Sequence, residues 1–163
     1  MNSSTTSSPR VSVIVPVRNG GPTLARALEA LANNDYHSFE LIVVDDGSSD
    51  GSREVGEAAG ATVLNNRRSR GPAGARNTGV DAARGDIVPF IDADVEVQPT
   101  TIARVVERFD ANPDLAAMFG APRIFYYFYS GVTFVAAWVW DHLPGPSVRA
   151  AAALPRSSRC AQL

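Results

Sequence analysis

Ile87-Val88-Pro89-Phe90-Ile91-Asp92-Ala93-Asp94 decides the reading of this chain: an apolar run ends on two carboxylates one residue apart. A short apolar run rich in branched residues suits a strand buried on both faces of a parallel sheet. Side chains alternate with period two along an extended chain, so Asp92 and Asp94 are expected on one side, as an anionic fork. Such a fork suits a divalent cation and, through it, a diphosphate. Pro89 cannot donate to a ladder, so a bulge or a one-sided pairing is expected there. A second run ends the same way, at Leu41-Ile42-Val43-Val44-Asp45-Asp46-Gly47-Ser48. Two acid-tipped strands imply an open α/β sheet with a nucleotide-diphosphate crevice at its strand ends.

Outward from these runs, the β-branched stretch Val11–Val17 reads as a buried first strand, broken by Gly20-Gly21-Pro22. Leu24, Leu28 and Leu31 then recur at helical spacing. Phe39–Val44 is the second strand, and the capping-rich turn Gly47–Ser52 leads into a short helix near Ser52–Ala59. Ala61–Leu64 is a short third strand. Pro72–Ala83 reads as a helix packed through small residues, with Gly85 as its C-cap. Ile87–Ile91 is the fourth strand. Pro99 is expected to open the clearest helix, whose Ile102, Val105, Val106 and Phe109 share one face, and Leu115–Phe119 is a fifth strand. Strands alternating with helices give a mostly parallel α/β sheet.

The 163 residues suit one domain, and a net charge of -2 gives no reason to expect a nucleic-acid partner. All fifteen basic residues are Arg. The absence of Lys excludes an ordinary P-loop, Schiff-base chemistry and a response-regulator receiver. No G-x-G-x-x-G follows Val17, which excludes a dinucleotide-binding Rossmann domain. Cys160 has no partner for an internal disulfide, which fits a reducing, cytoplasmic setting. Residues 1–9 read as a loose Ser/Thr-rich arm. The character changes near Ala121: residues 1–114 hold sixteen acids, and 115–163 hold only Asp141. Ile124–Trp140 is apolar and aromatic but short for a membrane span, and it contains Ser130, Gly131 and Thr133. A pair of strands, or an exposed apolar segment prone to aggregation, fits it better than a spanning helix.

Each constellation has a bland alternative. Asp92 and Asp94 could simply cap a loop. Asp45 and Asp46 could accept from a nucleobase or ribose, or could cap the turn after them, which is the commoner use. The run Arg67-Arg68-Ser69-Arg70-Gly71-Pro72-Ala73-Gly74-Ala75-Arg76-Asn77-Thr78-Gly79 brings cations and backbone N–H groups to a helix start. With Arg70 or Arg76, those groups could hold a diphosphate. Arg67 and Arg68 fit a solvated run, whereas Arg76 and Asn77 are harder to dismiss inside a small-residue helix. His37, His142 and Cys160 fit no metal or relay pattern.

Taken in order, Val11–Asn19, Leu41–Ser52, Gly71–Gly79 and Phe90–Asp94 resemble the amino-terminal half of the family 2 glycosyltransferases, over about residues 10–120. The resemblance implies an α/β fold of GT-A, Rossmann-like type: a mostly parallel sheet with flanking helices, here apparently truncated. Residues 10–120 would form the nucleotide-sugar-binding half-domain, and 121–163 a divergent tail, apolar and then rich in Arg, Ala and Pro. It implies metal-dependent transfer of a sugar from a nucleotide-diphospho donor to an acceptor hydroxyl, with inversion. By resemblance, Pro16, Val17 and Arg18 with Asp45 or Asp46 would bracket the base and Asp92 would face the ribose. Asp94 would hold Mg²⁺ or Mn²⁺, and Arg76 joins the donor-binding set. The acceptor, whether sugar, lipid or protein, is left open, as is peripheral association with the inner face of a membrane.

In that family the catalytic base comes from the half after the paired acids. Here the only acid beyond Asp114 is Asp141, so no base is assigned. An acid-free tail is what a truncated or frame-shifted message would produce, and a donor-binding fragment without an acceptor site is the alternative function. A haloacid-dehalogenase-type phosphatase is a weaker rival. It wants a Lys, and its paired acids open the domain, whereas these follow several strands.

Overall fold

The run Val11–Val17 becomes β1, the strand about which the sheet is built. The structure, a computed structural model, describes residues 9–68, 70–115, 117–119 and 159–162. After β1 come α1 (Gly21–Ala32), β2 (Phe39–Asp45), α2 (Ser52–Ala58), β3 (Thr62–Asn65) and α3 (Pro72–Ala82). Then follow β4 (Ile87–Phe90), α4 (Thr101–Ala111), β5 (Ala117–Phe119) and β6 (Arg159–Gln162). The strand order is β3-β2-β1-β4-β6-β5, and each described pairing is parallel.

Alternation along the strands feeds two cores. On one face Val11, Val13, Val15 and Val17 pack with Leu24, Leu28 and Leu31 of α1 and Ile102, Val105, Val106 and Phe109 of α4. On the other, Ile14, Ile42, Val44, Val88 and Phe90 pack with Ala75 and Val80 of α3. Full burial of such a side chain contributes about 1.5–3 kcal/mol, so helix faces rather than helix propensities hold these layers. α3 is built for closeness: a Cβ on Gly79 would lie 2.5 Å from Ile14 Cγ2.

Several expectations are corrected. Gly85 does not cap α3, whose C-cap is Ala83. Gly85 instead crosses β1 so closely that a Cβ would come within 2.7 Å of the Val11 carbonyl carbon. Of the two outcomes expected at Pro89, the bulge is absent, because Val11↔Ile87 and Ile14↔Phe90 share one register, and the one-sided pairing holds. Ile87 and Ile91 donate to the carbonyls of Arg10 and Ile14 at 3.2 and 3.0 Å, and Pro89, between them, has no N–H for β1. The β6 ladder is continuous past it. Pro99 precedes α4 rather than opening it: Thr100 is the N-cap, and the Pro99 carbonyl accepts Asp35 N–H at 2.8 Å. β6 itself comes from a tail that shows no strand period.

At the amino-terminal edge of the sheet, Glu40 joins three segments. It accepts from the Ser12 hydroxyl at 2.6 Å and from Arg84 Nε and Nη2 at 2.9 and 2.6 Å. Burial pushes the Glu40 carboxyl up, but the bonds from Arg84 and Ser12 outweigh it and hold the group below the ordinary carboxylate range. Among the described residues no helix is long and apolar enough to cross a membrane. Ile124–Trp140, Asp141 and His142 lie outside the described residues.

Candidate functional site

Parallel strands deliver their carboxyl ends to one edge, so the segments after β1, β2 and β4 meet there. β1 lies between the two acid-tipped strands, and the chain runs outward from it to β2 and β3 on one side and to β4 on the other. That reversal opens the crevice in which α/β sheets bind ligands.

The tip of β2 is turned inward. Asp45 and Asp46 are 8% and 7% exposed. Asp45 Oδ1 accepts Ser48 N–H at 2.8 Å, the turn-capping use that competes with base recognition. Asp46 N–H donates to the Val17 carbonyl at 2.9 Å. Its two carboxylate oxygens are engaged separately: Oδ1 by Asn66 Nδ2 at 2.6 Å and Oδ2 by Gly71 N–H at 2.8 Å. The Asn66 bond is the largest influence lowering the Asp46 carboxyl; burial opposes it, and Gly71 N–H, Arg18 and Arg70 add to the lowering. The Gly71 N–H at the start of α3 is therefore engaged by an internal carboxylate.

Beside it, the loops after β1 and β2 are stitched together. Asn19 adopts a left-handed backbone at φ 53°, which Asn tolerates better than most residues. Its N–H donates to Ser48 Oγ at 2.9 Å and its Oδ1 accepts Ser49 N–H at 2.8 Å. Gly20 N–H reaches Ser52 Oγ, and Gly21 N–H, opening α1, reaches Asp50 Oδ2, both at 3.0 Å. The Ser52 hydroxyl, then Gly21 N–H, hold the Asp50 carboxyl below its usual range.

The tip of β4 is turned outward. β4 ends at Phe90, and Val95 N–H bonds to the Asp92 carbonyl at 3.0 Å, closing a turn. Asp92 and Asp94 therefore do not lie along one side of an extended chain. They occupy the first and third positions of that turn. Asp92 is partly exposed and pairs through Oδ1 with Arg76 Nη2 at 2.7 Å. Asp94 is exposed and makes no hydrogen bond or ion pair among the described residues. α3 touches both tips, through Gly71 at its start and Arg76 one turn on.

Arg76 differs from the other paired arginines in leaving a buried nitrogen without an acceptor among the described residues. Arg84 and Arg68 each set Nε and Nη2 on one carboxylate, Glu40 and Asp81. Arg76 uses only Nη2, and its buried Nε has no hydrogen-bond partner among the described residues. A partly exposed ion pair contributes about 0.2–1 kcal/mol, whereas a buried unpaired N–H costs about 1–3 kcal/mol. Stability alone does not account for this placement.

The donor set fits a hard divalent cation completed by phosphate and water. Asp94 and the second oxygen of Asp92 are carboxylate donors free of internal bonds, and Mg²⁺ or Mn²⁺ sites need few of these. Among the described residues no group of three or more His, Cys, Asp or Glu could enclose a metal, so the chain alone makes no cage. Pro16 lies partly buried in β1, Val17 is buried, and Arg18 and Arg70 are exposed beside Asp46. Arg67 and Asn77 are exposed, and Arg68 pairs with Asp81. The sequence reading missed Asn66, Asn19 and Asp50. Their only local signals are an Asn just past a strand end and acids or amides in a turn.

The glycosyl transferase family 2 model matches residues 12–138. A GalNAc(5)-diNAcBac-PP-undecaprenol beta-1,3-glucosyltransferase of Campylobacter jejuni is 34% identical over 118 residues, covering 69% of this chain and 38% of the relative. The mannosyltransferase PcManGT from Pyrobaculum calidifontis, solved with GDP-Man and Mn²⁺, superposes with TM-score 0.64 at 30% identity, over 76% of this chain and 39% of that one. S. aureus TarS 1-349, solved with UDP-GlcNAc, gives TM-score 0.61 at 26% identity, over 70% and 37%. The chain thus spans well under half the length of each.

Proposed function

Because the chain belongs to glycosyl transferase family 2, we propose that it binds a nucleotide-diphospho-sugar and serves transfer of the sugar to an acceptor hydroxyl with inversion. The observation that carries this reading is the convergence of three loops at one sheet edge, where Asp94 is exposed while Asp45, Asp46 and Asp50 are bonded internally. Asp94 holds Mg²⁺ or Mn²⁺, and Asp92 faces the ribose. The segment Pro16-Val17-Arg18, with Asp45, lines the base, and Asp46 serves mainly as the brace between β2 and α3. When bound, the cation neutralises charge that develops on the departing diphosphate. Arg18 and Arg70 add positive potential at the same mouth. PcManGT with GDP-Man and Mn²⁺ supports the cation, and the TarS complex supports the donor class.

The acceptor is a sugar, lipid or protein hydroxyl. The undecaprenol in the Campylobacter relative's name favours a lipid-linked one, which would place the protein in the cytoplasm at the inner face of a membrane. The alternative is donor binding without transfer. Two of the acids after Asp94 are engaged in ion pairs, Glu96 with Arg26 of α1 and Asp110 with Arg10 at the far edge of the sheet. A thermal-shift screen of UDP and GDP, with and without Mn²⁺, tests the reading. Stabilisation that needs both nucleotide and Mn²⁺ supports it, and no shift with either nucleotide rejects it. Sugar transfer by the same preparation separates enzyme from binding module.

A further inference from the structure

We propose that Arg76 is a built-in counter-ion that makes cation binding conditional on the nucleotide. This rests on the reading of Asp94 as the cation ligand, and goes beyond it to the order of assembly. Arg76 Nη2 sits 2.7 Å from Asp92 Oδ1, so one of the two turn carboxylates is already neutralised by the protein. Asp94, exposed and unbonded among the described residues, is left as a single monodentate or bidentate donor. One carboxylate beside a fixed positive charge is a poor site for a bare divalent ion. A diphosphate changes that balance, because it brings its own oxygens and negative charge.

The orphaned Nε points to the same partner. Arg84 and Arg68 close a guanidinium fork on a carboxylate, and Arg10 and Arg26 make single contacts from exposed positions, but among the described residues only Arg76 leaves a buried nitrogen without an acceptor. Arg76 leaves Nε buried and without an acceptor among the described residues. A phosphate oxygen of the nucleotide is an acceptor that would complete it once the guanidinium turns toward the mouth of the site. Arg76 thus acts as a positioning residue: it repels the bare cation, holds Asp92 at the turn, and releases its unused N–H to the cation–nucleotide pair.

The test is Mn²⁺ binding to nucleotide-free protein, read by the electron paramagnetic resonance of free Mn²⁺. Arg76→Gln should bind Mn²⁺ alone roughly threefold to tenfold tighter, the effect of removing one unit charge beside an exposed cation site. The same variant should bind UDP or GDP more weakly when Mn²⁺ is present. Arg76→Lys, which keeps the charge, should match the parent for Mn²⁺ alone. Equal Mn²⁺ affinity in Arg76→Gln and the parent overturns the proposal, since a purely structural arginine would give that result or a loss. Should Arg76→Gln not fold, Asp92→Asn decides. Little change in Mn²⁺-alone affinity supports an already neutralised Asp92, and a tenfold loss refutes it. Failure of nucleotide to bind with Mn²⁺ would instead reject the donor-site reading, and leaves the Mn²⁺-alone comparison to stand or fall separately.

Discussion

The two acid-tipped strands look alike in sequence and do opposite work in the structure. After β2, Asp45 and Asp46 are nearly buried, and Asp46 uses both oxygens to join β2, Asn66 and α3. After β4, Asp92 has one ion pair, and Asp94 has no bond among the described residues. A carboxylate whose lone pairs are spent on its own chain holds the fold. One whose lone pairs face outward is available to a ligand. The inner pair is tied into the platform, and the outer pair is the one left open to a ligand.

Substitution at both tips should split these roles. Asp46→Ala, which removes the shared acceptor of Asn66 Nδ2 and Gly71 N–H, should destabilise the fold by about 2–4 kcal/mol, read as a lower urea midpoint at unchanged m. A change under about 0.5 kcal/mol would erase the contrast between the tips. Asp94→Asn should cost roughly tenfold to a hundredfold in Mn²⁺-dependent UDP or GDP affinity while moving stability by less than about 0.5 kcal/mol. Unchanged affinity in a Mn²⁺ titration would remove Asp94 as the ligand.

Acid sharpens the same contrast. Asp46, Asp50 and Glu40 all have folded-state pKa values below the ordinary carboxylate range. Their unfolded values are the higher ones, so their contribution is complete above the ordinary carboxylate range and drains as pH falls through the depressed folded values. Asp46→Asn should remove its share of that acid limb of a stability–pH curve, leaving the parts due to Asp50 and Glu40. The smallest effect is expected at the loop stitch: Asn19→Ala loses the bond to Ser49 N–H at a left-handed position, for about 1 kcal/mol. Nucleotide affinity should fall with it only if the two loops must move as one. Binding unchanged alongside a lowered midpoint would assign the stitch to stability alone.

The framework was legible because it rests on local pattern. Val11–Val17 is the strand its β-branched run announces, and the i, i+3, i+4, i+7 set from Ile102 to Phe109 is the buried face of α4. Small residues in Pro72–Ala82 do mark close packing, as Gly79 on Ile14 shows. The tip roles were not legible. Asn66 and Gly71 lie 20 and 25 residues beyond Asp46, and no spacing rule connects them. The period-two argument for Asp92 and Asp94 failed because the strand stops at Phe90 and a backbone bond from Val95 closes a turn. β6 escaped notice for the same reason as Asn66: its pairing with β4 and β5 is non-local.

The amino-acid sequence by itself determined the alternation of strands and helices, the parallel sheet and the acids that end β2 and β4, since side-chain period and apolar runs are short-range properties. Only the tertiary structure decided which acids are consumed and which remain open. That choice depends on donors delivered by distant segments: Asn66 and Gly71 to Asp46, a single Arg76 N–H to Asp92, and none among the described residues to Asp94.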